Sequence, residues 1–420
     1  MENQVCKGSI LESLRVLDLT DESGSLCGKI LAELGADVIK VEKPGGDCSR
    51  NIGPFYHDNP DPERSLFWFA YNLSKRSITL NIASADGRGI FKQLVRKADF
   101  VIESFPVGFM EKLGLSYPEL SAINPRVIMT SITPFGQTGP YKHYKASDIT
   151  VMAMGGLMYI TGNPDEAPLR ISSPQAFLLA SAHAATATMV AHYYRETTGE
   201  GEHVDVSAQE CIVWELANAI PLWGLNQMVL RRVGSYLSGR WTGTKQRLLW
   251  QCKDGYVVFI VIGGVSGVKT NRGIVQWMEE EGIAPDHLKE FDWTAFDMAK
   301  QTQEMQDQIE QPIARFFMEH TKAELYDGAL KRGIMLCPVS TARDIIENAQ
   351  LRARNFWVKV EHPELETTIT YPGAFIKMTE TPCAVKYRAP HVGEHNLEIY
   401  EGELGLSRRD IVILKQAGVI

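Results

Sequence analysis

Arg15–Glu42 reads RVLDLTDESGSLCGKILAELGADVIKVE, and this stretch decides the fold. Arg15–Thr20 is a short run rich in strand formers, Ser25–Leu34 has helical spacing and stops at Gly35, and Ala36–Glu42 is a second strand-like run. Strand, helix and strand within about thirty residues form a βαβ unit, which requires parallel strands and a right-handed crossover. The alternation continues with a strand at Ser77–Ile82, a helix at Asp86–Lys97, a strand at Asp99–Glu103, a helical piece at Pro118–Ile123 and a strand at Arg126–Ile132. This pattern predicts a doubly wound α/β domain. Asp148–Ile160 and Ser173–Tyr194 read as helices, and His203–Ser207 as a strand leading into a helix at Ala208–Ala219. From about Leu222 the character changes to glycine-bearing loops, a strand at Gly255–Ile262 and a polar amphipathic stretch at Thr294–His320. The expected organisation is a large domain from 1–221 and 328–420 around a smaller α+β domain at 222–327.

The 420 residues are 44% hydrophobic and 22% charged, with a net charge of −8. That balance suits a folded chain and argues against a general nucleic-acid binder. The charge-free stretch Ile171–Tyr194 holds Ser, Thr, Gln, Pro and two His among small residues, which favours a buried helix over a membrane span. Seven cysteines without C-x-x-C spacing, and an N-terminus without a basic start and apolar run, lead us to expect a reducing, cytoplasmic setting. They also lead us to expect no disulfide framework and no metal site. The chain has no G-x-G-x-x-G, Walker A, H-E-x-x-H or G-x-S-x-G motif. Gly263–Gly267 reads as a flexible βα connection.

Several short motifs occur in order: Val16–Arg50, Asn72-Leu73-Ser74-Lys75-Arg76-Ser77, Asn124-Pro125-Arg126-Val127-Ile128, Phe135-Gly136-Gln137-Thr138-Gly139-Pro140, Thr198-Gly199-Glu200-Gly201 with Val204-Asp205-Val206-Ser207, Gln350–Arg354, His362-Pro363-Glu364-Leu365 and Gly393-Glu394-His395. In order and spacing, over nearly the whole chain, they resemble the class III CoA-transferases. This family includes formyl-CoA and carnitine-CoA transferases and the α-methylacyl-CoA racemases. The resemblance implies a Rossmann-like large domain built from both chain ends, an inserted small domain, and two chains threaded as interlocked rings. It also implies coenzyme A or its thioesters as substrate, with no tightly bound cofactor.

CoA carries several phosphate charges, and in a parallel sheet ligands gather at the carboxyl ends of strands. Lysine and arginine there suit phosphates. By resemblance, Lys43, Asn72, Lys75, Arg76, Lys112 and Lys145 match positions at or near the CoA site.

The chain departs from the family at its reacting group. The resemblance implies an aspartate nucleophile twenty-one residues before the Thr of the T-G-x-G turn, and counting back from Thr198 reaches Phe177. A phenyl ring cannot attack a thioester. The racemase His-Asp pair is Ser147-Asp148, and the first loop carries Asp21-Glu22, two acids that oppose phosphate unless they serve as a helix-capping turn. Asp148 and Glu210 remain as weaker catalytic candidates, with Asp148 read first as a helix N-terminal residue. His183 reads as a core histidine with one hydrogen bond. Trp241, Trp250 and Trp357 read as core before pocket. The leading expectation is a non-catalytic subunit, similar to one from benzylsuccinate CoA-transferase, paired with a homologous chain that carries the aspartate. The alternatives are a homo-oligomeric transferase or isomerase using another group, and a non-enzymatic CoA-binding protein.

Overall fold

The computed structural model describes residues 8–238 and 244–420; Cys6 and Trp241 lie outside them. The chain divides into two compact units. One comprises Met1–Met158, Arg170–Gln227 and Ala349–Ile420, and the other Tyr159–Leu169 and Met228–Asn348. Compared with the expected 222–327, the smaller unit extends further toward the C-terminus and takes in Tyr159–Leu169. Arg232 ties that segment in by donating to the carbonyls of Tyr159, Asn163 and Glu166.

In the large unit, β1 (Arg15–Leu19), β2 (Asp37–Glu42), β3 (Lys75–Thr79), β4 (Phe100–Glu103), β5 (Ile128–Thr133) and β6 (His203–Ser207) form one sheet in the order β3-β2-β1-β4-β5-β6. Every pairing is parallel. The strand order reverses between β1 and β4, which makes the crevice above their carboxyl ends the expected ligand position. Alternation along β1 places Leu17 and Leu19 in one core, with Phe91, Leu94 and Tyr400. Val16 points into the other, with Leu31, Ala180 and Ala184. Helices thus cover both faces, as a parallel sheet requires.

The helix after β1 spans Ser25–Glu33 and packs tightly on the sheet. A Cβ at Gly28 would lie 2.2 Å from Asp18 Oδ2, so only glycine allows this approach. The long helix expected at Ser173–Tyr194 spans Ala176–Thr198. It ends at Gly199 with φ of 84°, the left-handed cap that the T-G-x-G turn supplies. The turn's second glycine, Gly201, has no room for a side chain, since a Cβ would sit 2.0 Å from the Val127 carbonyl oxygen.

The C-terminal signatures close the free edge of β3. The Ser77 and Thr79 amides donate to His395 Nδ1 (3.1 Å) and Asn396 Oδ1 (2.9 Å). Pairing an exposed edge removes its tendency to recruit another strand.

The smaller unit has its own aromatic core of Trp250, Phe259, Phe316 and Phe317. It packs on an antiparallel sheet of Leu249–Cys252, Gly255–Phe259 and Leu336–Pro338. The polar stretch read over Thr294–His320 is helical over Gln303–Glu319, and Gly263 caps the helix Gly264–Glu280. Among the described residues, no helix is long and apolar enough to cross a membrane.

Candidate functional site

A cleft of about 940 Å³ opens at the carboxyl ends of β1, β4 and β5, in the large unit. Its floor takes Asp21-Glu22-Ser23 from the loop after β1 and Ser104–Val107 from the loop after β4. One wall is the start of the Ala176–Thr198 helix with Phe177, and the rim is the segment Lys142–Asp148. The crevice is therefore where the strand order reverses, as parallel topology dictates.

Phe177 is partly buried and lines the cleft from the first turn of its helix. Asp148 lines the same cleft, and one oxygen of its carboxylate is engaged. Asp148 Oδ1 accepts from the Ala176 amide at 2.8 Å and the Phe177 amide at 3.4 Å. The helix's own N-cap, Gln175, makes no side-chain capping bond. Asp148 therefore satisfies the helix's orphan amides from outside. Glu210 is exposed in the first turn of Ala208–Glu215 and does not line the cleft. His183 bonds the Leu179 carbonyl at 2.8 Å and lies half-buried rather than in the core.

Of the six positions matched to a CoA site, the structure joins Asn72 and Lys75 to each other but does not gather the set around the cleft. The third strand begins at Lys75, not at the expected Ser77, so Lys75 and Arg76 are strand residues that point to opposite faces. Lys75 is fully buried, and its ammonium donates to Asp18 Oδ2 (2.8 Å), the Ser25 carbonyl (2.9 Å) and Asn72 Oδ1 (2.9 Å). An ammonium has three donors, so Lys75 has none left for phosphate, and buried Asn72 serves it. Arg76 lies near the amino end of β3 and pairs with Asp37 (2.6 Å), Glu398 (2.6 Å) and Glu403 (2.9 Å). Lys75, Asn72 and Arg76, which the resemblance matches to positions at or near the CoA site, are thus engaged within the chain. Lys43 and Lys112 are exposed and outside the cleft. Lys43 lines a neighbouring hollow of about 280 Å³ that also holds Asp21, Asp47 and Cys48. Lys145 alone of the six lines the cleft.

The charges beneath the cleft form a closed set. Buried Asp18 sits between Lys75 and Lys40, and the Lys40 ammonium donates to the Thr20 carbonyl. Burial works against the Asp18 carboxylate, but Lys40 and Lys75 hold its pKa below the ordinary value. Burial pushes the Lys75 ammonium below its usual value, with Asp18 opposing. At the floor, Asp21 Oδ1 accepts from Ser23 Oγ (2.5 Å), the Ser23 amide (2.9 Å) and Ser104 Oγ (2.9 Å). The acid side chain braces its loop and does not cap the following helix, whose N-cap is Gly24 with no side-chain bond. Glu22 is pushed up by burial and then by Asp21. Cys48 lies 3.7 Å from Glu22 Oε2, and burial with Asp47 and Glu22 raises its thiol to about 12. Asp21, Glu22 and Cys48 place ligand-type atoms within 4.8 Å of one another, the cluster among the described residues that comes nearest a metal site.

Neither Trp250 nor Trp357 lines this cleft. Trp250 is fully buried in the smaller unit, Trp357 lies on the hairpin Trp357–Pro372, and Trp241 is outside the described residues. The cleft's aromatic lining is Phe67, Tyr71, Phe105, Tyr144 and Phe177. Phe67 and Tyr71 stand 4.7 Å apart on the helix Leu66–Tyr71. Their i, i+4 spacing in LFWFAY was the available signal.

The description CoA-transferase family III matches residues 11–396. The chain is 35% identical over 403 residues to the succinyl-CoA:(R)-benzylsuccinate CoA-transferase subunit BbsE of Thauera aromatica, across 93% of this chain and 94% of that one. It is 31% identical to the succinyl-CoA–D-citramalate CoA-transferase of Chloroflexus aurantiacus, across 98% of each. A solved CAIB/BAIF family protein from Brucella suis aligns with a TM-score of 0.82 at 28% identity, covering 94% of this chain and 100% of that one. With parallel sheet, crevice and matched length in agreement, the chain belongs to CoA-transferase family III.

Proposed function

We propose that this chain is the nucleophile-free subunit of a hetero-oligomeric CoA-transferase that moves CoA between carboxylic acids, such as from succinyl-CoA to an arylsuccinate with release of succinate. A homologous chain supplies the aspartate that forms the acyl and CoA intermediates. The observation that carries this reading is Phe177, whose ring lines the cleft at the position counted for the nucleophile. The nearby carboxylate, Asp148, is engaged in holding the helix that bears Phe177. The similarity to a benzylsuccinate CoA-transferase subunit supports the same assignment. The internal engagement of Lys75 and Arg76 in this chain favours the partner as the main CoA-binding subunit.

Co-expression with a homologue that carries the aspartate tests the reading. The two chains are expected to co-purify and to transfer CoA from succinyl-CoA to an arylsuccinate. Hydroxylamine trapping and peptide mass spectrometry should find adducts on the partner only. An adduct on Asp148 or Glu210 would favour a homo-oligomeric enzyme instead. The two chains are threaded through one another in this reading, so a folded monomer at nanomolar concentration in light scattering would refute that arrangement.

A further inference from the structure

The cleft of this chain has lost its nucleophile position to Phe177 and yet remains an open hollow of about 940 Å³, within the usual range of small-molecule sites. Its charges are unevenly placed. The floor carries Asp21 and Glu22, and burial and Asp21 together hold Glu22 above its ordinary pKa, a sign that negative charge there is poorly compensated. The rim carries Lys142 and Lys145, and neither has a carboxylate at ion-pair distance among the described residues. Between floor and rim stand the rings of Phe67, Tyr71, Phe105 and Phe177.

We infer that this cleft is a non-covalent site for a free aryl carboxylate and that it discriminates against CoA and its thioesters. The inference rests on the pseudo-subunit reading above. An aryl group gains by leaving water for the ringed wall, and a carboxylate gains charge-assisted hydrogen bonds from Lys142 and Lys145. The acidic floor opposes any anion, and it opposes CoA, with its several phosphate charges, more strongly than an acid that brings one or two. The two cations expected to offset those phosphates, Lys75 and Arg76, are bound to Asp18 and Asp37. No covalent step occurs here. The acid is held and released unchanged.

The test is hydrogen–deuterium exchange on the co-purified complex, with benzylsuccinate, succinate and free CoA each added alone, so that no turnover occurs. Benzylsuccinate is expected to protect this chain's peptides across 140–148 and 171–178. Succinate, lacking the ring, should need roughly ten-fold more for the same protection. The Lys142→Ala/Lys145→Ala variant should shift the benzylsuccinate midpoint by roughly ten- to a hundred-fold, with exchange elsewhere in the chain unchanged because neither lysine is buried. No protection, an unmoved midpoint in the variant, or protection by free CoA at the concentrations that suffice for benzylsuccinate would each overturn the inference. A transfer assay on the same sample separates the two readings. Active transfer without protection removes this inference alone, and protection without transfer removes the transferase reading alone.

Discussion

The charged groups beneath the sheet's helical cover and those around the cleft are the same residue types put to opposite uses. Asp18, Lys40, Lys75 and Asn72 are all fully buried and bonded to one another or to the backbone, while Lys142 and Lys145 stand at the cleft rim without a carboxylate partner among the described residues. Arg15, Asp37, Arg76, Glu398 and Glu403 tie the C-terminal segment to the amino end of the sheet. A closed network holds elements together and has no capacity for a ligand. An open one costs the fold little and is available for binding. In this chain Lys75 and Arg76 of the Lys-Arg motif both lie in such internal networks.

The sharpest way to break the comparison is Asp18→Ala. It leaves two buried ammonium groups without their shared carboxylate, and uncompensated buried charge costs about 3–5 kcal/mol. Denaturant unfolding should show that loss. A loss below about 1 kcal/mol would mean that the buried set is not a closed electrostatic unit. The Lys142→Ala variant, by contrast, should leave unfolding within about 0.5 kcal/mol of wild type, as surface changes do.

Glu103 sharpens the contrast through pH. It is buried at the end of β4 beside the cleft loop, accepting from the Phe105 amide at 2.7 Å. Burial raises its carboxyl from an ordinary 4.5 to about 7, against hydrogen bonds from Ser131 and Phe105. The folded chain thus holds a proton that the unfolded chain releases between those values. Stability is full below pH 4.5 from this group and falls as pH rises toward 7, by up to about 3 kcal/mol. Glu103→Gln keeps an oxygen for the Phe105 amide and removes the titration. The difference in unfolding free energy between variant and wild type should grow from pH 5 to pH 8; a difference independent of pH would refute the assignment.

The alternation of strand and helix was legible because periods of two and 3.6 leave different marks on hydrophobic spacing, and all six strands of the sheet lie where that pattern placed them to within a few residues. Two residues of error at β3 mattered more than any other. Beginning the strand at Ser77 puts Lys75 and Arg76 in a loop, whereas beginning it at Lys75 sends one side chain into the core and the other into the edge network. Phe177 was reached by counting from the Thr198 turn, an offset that rests on the family resemblance alone. The cleft lining could not be read in this way, since Phe67, Phe105, Tyr144 and Phe177 come from four separated segments that only the fold gathers.

Arg76→Ala probes the amino-end network. The guanidinium is 11% exposed and its acidic partners are 23–57% exposed, which places it between a surface pair and a buried one. The expected cost is about 1–3 kcal/mol, decreasing with added salt. CoA-dependent protection of the complex should be the same in variant and wild type. A selective loss of CoA binding with unchanged stability would return Arg76 to the ligand site.

The smallest expected effect separates Asp148 as a helix cap from Asp148 as a reacting group. Its Oδ1 receives the amides of Ala176 and Phe177, so Asp148→Ala leaves two first-turn donors without a protein acceptor. Loss of such a cap costs about 1 kcal/mol. Asparagine keeps a carbonyl oxygen in place and caps nearly as well, so Asp148→Asn should recover most of that stability. A nucleophile would behave differently, because an amide oxygen cannot replace a carboxylate in attacking a thioester. The two variants would then be equally inactive whatever their stability. Thermal unfolding and CoA transfer, measured together on complexes carrying each variant, distinguish the roles. Recovery of stability in the asparagine variant, with transfer tracking the folded fraction, identifies a cap. Loss of transfer in both at full folding would place the chemistry on this chain and make Phe177 a bystander.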